Sequence, residues 1–205
     1  MYSPSYNRVE DRAEPVRFMR ANNFCLLVTG TGGELAGSHL PCLVEEREDK
    51  LVLVMHMARS NPQWQSFYDD EEALVVFWGP HAYVSPRWYE ETERVPTWNY
   101  AAVHAYGTVR VLDDAGTRRA VERLVAAHDP QWQPAFERLP AEYVSDMLAN
   151  IVAFEIAVTR LETRWKLSQN RGRREQELIA AQLEKSNDSA ERALAELTLG
   201  HLAPK

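Results

Sequence analysis

Only two cysteines, Cys25 and Cys42, occur in the 205 residues. Each sits inside an apolar stretch, so the pair suggests neither a disulfide framework nor a zinc site, and buried thiols are expected. An excess of cations is also missing. Lys and Arg number 23 against 30 Asp and Glu, for a net charge of -7, which argues against broad electrostatic binding to nucleic acid but not against a local basic patch. No apolar run approaches the ~20 residues that span a bilayer. The opening "MYSPSYNRVEDR" lacks the basic and then apolar regions of a signal peptide. A soluble cytoplasmic protein with no membrane partner is the expectation. Short catalytic signatures are absent as well: there is no G-x-S-x-G, H-E-x-x-H, CxxC pair, phosphate-binding G-x-x-x-x-G-K-[ST] or G-x-G-x-x-G. The glycine-rich "TGTGGE" joins two strand-like runs and reads as a hairpin turn.

What is present is a folding chain. Hydrophobic residues make up 45%, with 6 Trp, 8 Tyr and 6 Phe, and the length suits one large domain or a domain with an appendage. After "DRAEPVRFMRANN", a short helix with Asp11 and Glu14 at capping-box spacing, come apolar runs divided by turn chemistry: "FCLLVTG", "LAGSHLPCLVEE" and "LVLVMHM". These read as antiparallel hairpins. A short helix "NPQWQSFYDD" interrupts, and "ALVVFWGP" resumes as a strand.

"TWNYAAVHAYGTVRVL" alternates between a small apolar set (Ala101, Val103, Ala105, Val109, Val111) and a large amphipathic one (Trp98, Tyr100, His104, Tyr106, Arg110). Period two with two unlike faces predicts a strand with core on one side, and an aromatic face that wants a partner surface. Val121, Leu124, Val125 and His128 fall on one stripe of a following helix. "PAEYVSDMLAN" is helical, and "IVAFEIAVTRLETRWKL" is a strand turning Val152, Phe154, Ile156 and Val158 inward. From Arg171 two helices follow, with Asn187 or Asp188 as cap of the second. The order is mainly β with helices, and a closed barrel fits it because closure removes exposed edges.

The candidate site is "HMARSNPQW". Pro62 suits a helix's first position, which makes Asn61 the cap. Arg59 beside a helix start can fork onto a phosphate or carboxylate. A capped turn with a solvated arginine is the alternative. His39 precedes Pro41, a residue expected only at a strand edge or irregularity. Aromatics in the proline-bearing loops around residues 77–100 can wall a flat ring or form a satellite cluster. Gln169 and Asn170, after Trp165 and Lys166, offer donor and acceptor together, or simply a polar strand exit.

The stretches "MYSPSY", "SHLPCLV", "HMARSNPQW", "VVFWGPHAYVSPRWY", "VPTWNYAAVHAYG" and "KLSQNR" together resemble the PaiB-like family of negative transcriptional regulators with an FMN-binding split-barrel fold. The departures are Tyr6 for Phe, Cys42 for an aliphatic residue and Val84 for Ile; none falls on a polar position. The resemblance implies a split β-barrel over residues 1–170 and an appended helical hairpin over 171–205. It also implies a homodimer with FMN at the subunit interface. Arg59, Ser60 and Asn61 would hold the phosphate, and His39, Leu40, Pro41, His56, Met57 and Ala58 would run along the isoalloxazine. Trp98, Asn99, Gln169 and Asn170 would come from the second subunit. Cys25, Cys42 and His128 are expected to be structural.

On this reading a regulatory effect follows from flavin or redox state. A flavin-dependent oxidoreductase on a small substrate and a haem-handling split-barrel protein, with His39, His56 or His104 as ligand, are the alternatives. Direct DNA binding has only "RGRRE" at the start of the C-terminal helices in its favour.

Overall fold

Alternating apolar residues become strands, and three of those strands are long. The computed structural model describes residues 1–9, 11–31, 33–48, 50–68, 72–90 and 93–203. Gly32 and Asp49 of the two hairpin turns, Asp69 and Asp70 at the end of "NPQWQSFYDD", Glu10 of the opening stretch, and Pro204 and Lys205 of the tail lie outside the described residues. The chain divides into two compact units. Unit 1 is Met1–Phe18, Trp78–Val103 and Glu162–Lys205, and unit 2 is Met19–Phe77 and His104–Leu161.

Unit 2 holds the sheet. Its strands are β1 (Phe24–Thr31), β2 (Glu34–Pro41), β3 (Leu43–Arg47), β4 (Lys50–Ala58), β5 (Glu72–Val84), β6 (Thr97–Val111) and β7 (Ile151–Lys166), the last three continuing into unit 1. The ladder order is β2-β1-β5-β6-β7-β4-β3. Its two ends, β2 and β3, are consecutive in the chain. "LAGSHLPCLVEE", expected as one run, is therefore broken at Cys42, whose amide bonds the Asn23 carbonyl at 2.8 Å instead of a ladder partner. Pro41 ends the edge strand β2, where its missing N–H costs no ladder bond.

The expected two-faced pattern holds in β6: Ala101, Val103, Ala105 and Val109 are buried, while Trp98 and Arg110 are exposed. Gly107 continues the small set for a steric reason. A Cβ there would come 2.1 Å from the Ala157 carbonyl oxygen of β7. β5 runs further than "ALVVFWGP" because its alternation slips: Ala73, Val75 and Phe77 are buried, then Ala82 and Val84. The change of phase falls across Gly79 and Pro80.

Three helices lie between β6 and β7: α2 (Asp114–His128), α3 (Gln133–Phe136) and α4 (Ala141–Ala149), after α1 (Ala13–Ala21). The stripe on α2 differs from the expected one. Gly116, Thr117, Ala120 and Leu124 are buried, whereas Val121 and Val125 are half-buried and His128 is exposed. The helix comes close to the sheet, with Ala120 against Val52, Val54 and Ala153, and close approach selects small residues over branched ones. Leu51 to Met55 of β4 are consequently buried in succession.

Unit 1 carries α5 (Arg173–Leu183) and α6 (Ser189–Leu202), which bury Ile179, Leu183 and Leu194. The Asp188 carboxylate accepts the Ala190 amide at 2.8 Å as the α6 cap. Trp165 is buried with its ring 4.9 Å from that of Phe18. The first residues lie along the end of β7, where Ser3 Oγ donates to the Thr163 carbonyl at 2.9 Å.

Candidate functional site

The turn between β4 and the 3-10 helix Pro62–Tyr68 is tied at nearly every residue. The Asn61 carboxamide oxygen accepts the Gln63 amide at 3.0 Å, and its nitrogen donates to Ser38 Oγ of β2 at 2.8 Å. Asn61 is thus the cap its position before Pro62 predicts. The Trp64 indole donates to the Arg59 carbonyl at 2.9 Å. Beneath the turn, buried Gln63 donates from Nε2 to Thr29 Oγ1 at 3.1 Å and to the Ala36 carbonyl at 3.2 Å. Sequence reasoning missed Gln63. A glutamine in a short helix carries no signal of burial of its own, and only the Thr29 hydroxyl and the Ala36 carbonyl around it reveal its role.

Arg59 takes up a second duty. Its amide donates to the Asn150 carbonyl at 2.9 Å, and its Nε and Nη2 donate to the carbonyls of Ala149 at 2.7 Å and Ile151 at 2.9 Å. Of its guanidinium nitrogens, Nη1 lies outside these bonds. Ser60 is exposed and, among the described residues, gives its amide and hydroxyl to no partner.

The strand residues of the candidate set divide by burial. Leu40 and Met57 point into the core, so only their backbones face elsewhere, while His39 and Ala58 are exposed. The His39 ring stacks with Phe24, centroids 6.1 Å apart. His56 lies partly buried opposite Ala153 of β7, and its Nδ1 is a buried polar atom without a hydrogen-bond partner among the described residues. Burial pushes the His56 imidazole below its ordinary value and favours the neutral ring.

The other four candidates belong to unit 1. Trp98 is 56% exposed, whereas Asn99 is fully buried and its Nδ2 donates to Ser168 Oγ at 2.9 Å. Ser168 holds a left-handed backbone, φ 65°, which directs the chain out of β7. Gln169 spends its amide on its own turn: its oxygen accepts the Leu167 amide at 2.7 Å and its nitrogen donates to the Trp165 carbonyl. Asn170 is exposed. Lys166, passed over as a candidate, donates to Thr97 Oγ1 and the Trp98 carbonyl. Burial, then the nearby Arg164 charge, lowers its pKa. Thr97, Asn99, Lys166, Ser168, Asn170 and Arg171 line a cavity of about 140 Å³.

Ser60 and the Arg59 Nη1 are donors for an oxyanion, and the unpartnered His56 Nδ1 offers a polar contact to a ring edge. The exposed Trp98 indole offers an aromatic face.

Residues 1–160 match the family described as "Putative FMN-binding domain". The chain is 33% identical over 199 residues to "Protease synthase and sporulation protein PAI 2" of Bacillus subtilis, spanning 96% of each chain. It belongs to the PaiB-like FMN-binding family. Solved structures similar to this PaiB-like chain share its fold at low identity. The FAD and haem binding protein from Mycobacterium smegmatis is 17% identical with a TM-score of 0.63, over 85% of this chain and 80% of that one. The flavocytochrome Anf3 from Azotobacter vinelandii is 12% identical with a TM-score of 0.58, over 78% and 69%. The fold is the split barrel that the family resemblance implies. FMN is the cofactor named by the family description.

Proposed function

We propose that this PaiB-like protein binds FMN as a homodimer and acts as a negative regulator through the state of its flavin. The match to an FMN-binding family across residues 1–160 carries the reading. The phosphate would rest on Arg59, Ser60 and Asn61, and the ring along His39, Leu40, Pro41, His56, Met57 and Ala58. Trp98, Asn99, Gln169 and Asn170 would come from the second subunit; the Gln169 side chain must leave its own turn to take part, and Asn99 would act through Ser168. FMN supplies one- and two-electron chemistry when bound, and the protein's part is binding, orientation and exclusion of water. A neutral His56 imidazole can accept or donate one hydrogen bond at the ring edge without adding charge. Residues 1–170 would form the flavin-binding domain, with 171–205 appended as a helical hairpin.

Indirect regulation suits the charge pattern better than direct DNA reading. Arg173 at the start of α5 pairs with Glu177 at 2.9 Å and Arg174 with Glu90 at 3.1 Å, so the two arginines meet carboxylates before any phosphate.

An absorbance spectrum of the purified protein, repeated after adding FMN and removing the excess, tests the reading. Flavin bands near one per subunit are expected. No retained flavin defeats it, and a Soret band would instead make the protein a haem binder. Turnover of a nicotinamide cofactor would make it an oxidoreductase.

A further inference from the structure

We propose that a small cationic cavity of unit 1 holds the oxyanion head of a second ligand of the flavin site. The cavity, of about 140 Å³, is bounded by the start of β6, the end of β7 and the chain that leads into α5. Its charge comes from Lys166 and Arg171, neither of which belongs to the residues proposed for FMN. No carboxylate lines it among the described residues, although the chain as a whole carries a net charge of -7. Two cations lining one small space repel each other, and an oxyanion between them removes that cost.

Each cation keeps donors for a ligand. The Lys166 ammonium donates to Thr97 Oγ1 and the Trp98 carbonyl, which fixes the side chain and leaves one of its three protons. Burial and then the Arg164 charge lower the Lys166 pKa, and an anion beside the ammonium would offset both. The Arg171 guanidinium lies 5.7 Å from the Tyr89 ring centroid and, among the described residues, meets no carboxylate. Glu175 of α5 is already held by Arg94 at 3.3 Å. Buried neutral groups complete the lining. Asn99 and Ser168 are buried and exchange hydrogen bonds of 2.9 and 3.2 Å. After those bonds the Asn99 carboxamide still has a second N–H to give.

Size narrows the class of ligand. About 140 Å³ falls below the roughly 300 Å³ at which sites for drug-sized molecules begin. A carboxylate on a short chain fits, as does a phosphate; a three-ring flavin does not. Asn99 and Asn170 also line the cavity. Its nearness to the flavin therefore rests on the proposed function, in which both come to the ring from the second subunit, whereas its charge does not. Carboxylate and phosphate share the chemistry recognised here, so probes of both kinds are needed.

NMR titration of the isotope-labelled full chain at constant ionic strength tests the proposal, with propionate, inorganic phosphate, propionamide and propylamine as probes. Propionate or phosphate should give saturable shifts in the amides of Thr97, Ser168 and Arg171, the tighter one identifying the source. Propionamide and propylamine should give none. Lys166→Met and Arg171→Gln should each weaken the oxyanion about tenfold or more, the loss expected for a charged hydrogen bond, and Lys166→Arg should recover part of it. Arg171→Gln gives up only the contact with Tyr89, so it reads the cavity even where Lys166→Met fails to fold. The same oxyanion should perturb the absorbance of FMN-loaded protein without releasing the flavin. No shifts with either oxyanion, equal shifts with propionamide, indifference to Arg171→Gln, an unchanged spectrum of bound FMN, or its release would each overturn the proposal. Absence of FMN binding in the wild type would defeat the flavin reading alone, and saturable oxyanion shifts would still establish the cavity as a site.

Discussion

The Nε of Arg59 donates to the Ala149 carbonyl at 2.7 Å, which makes the arginine of the proposed flavin turn a cap for the last residue of α4. Final helix carbonyls lack partners within the helix, and a cation there also suits the dipole. Arg59→Ala is expected to cost about 1–2 kcal/mol of stability in urea denaturation, and separately about 1.5–3 kcal/mol of FMN affinity. Arg59→Lys should keep the charge but lose the fork to Ala149 and Ile151. Equal FMN affinities in fluorescence titrations of Arg59→Ala and wild type would remove the residue from the phosphate site.

Gln63 holds the turn from below. Replacing it with leucine removes the Nε2 donor from the Thr29 hydroxyl and the Ala36 carbonyl, while Ser66 Oγ stays 3.1 Å from Thr29 Oγ1 and the Gln63 Oε1, unpartnered among the described residues, is lost as well, for a net cost of about 1 kcal/mol. Gln63→Leu should therefore lower the urea midpoint clearly, despite the added apolar surface. An unchanged midpoint would mean that water replaces the glutamine.

His56 gives the protein a dependence on pH. Burial lowers its folded-state pKa from the ordinary 6.5. As pH falls below that value the unfolded chain takes up the proton first. Stability from this group is thus complete above 6.5 and is lost as pH falls through the lower, folded value. The melting temperature of wild type should drop more between about pH 7.5 and 5.5 than that of His56→Gln, which does not titrate there. Parallel curves would place the proton elsewhere.

The proposed homodimer, if it pairs through the aromatic face of β6, predicts that Tyr106→Glu yields monomers by light scattering. The Arg160 guanidinium lies 3.5 Å from the Tyr106 ring centroid, so the tyrosine is already half of a cation–π pair. Tyr106→Phe keeps that pair and should remain dimeric. A dimeric Tyr106→Glu would move the interface off this face.

Much of the fold was legible because strands write their period into the sequence. The two faces of β6, the inward residues of β7 and the caps Asn61 and Asp188 all follow from local chemistry. The α2 stripe did not, since burial there is set by how near Ala120 comes to β4 and β7, and a hydrophobicity pattern ranks valine above alanine. Sites were read less well than strands. Gln169 has the donor and acceptor expected of a ring-reading residue, but a left-handed Ser168 folds the chain so that its amide serves Trp165 and Leu167. The role of Lys166 is not legible in the sequence because its partners, Thr97 and Trp98, are some 70 positions away.

Neither compact unit is a continuous piece of chain. Unit 2 interleaves residues 19–77 with 104–161, and unit 1 draws on 1–18, 78–103 and 162–205. A ribosome must therefore deliver residue 161 before unit 2 has all its strands, and almost the whole chain before unit 1 has its helices. The β1–β2 and β3–β4 hairpins can pair early, but β4 must wait for β7, and contacts so distant in sequence make folding slow. Because each unit is assembled from separate stretches, no single continuous piece of the chain yields either unit by itself.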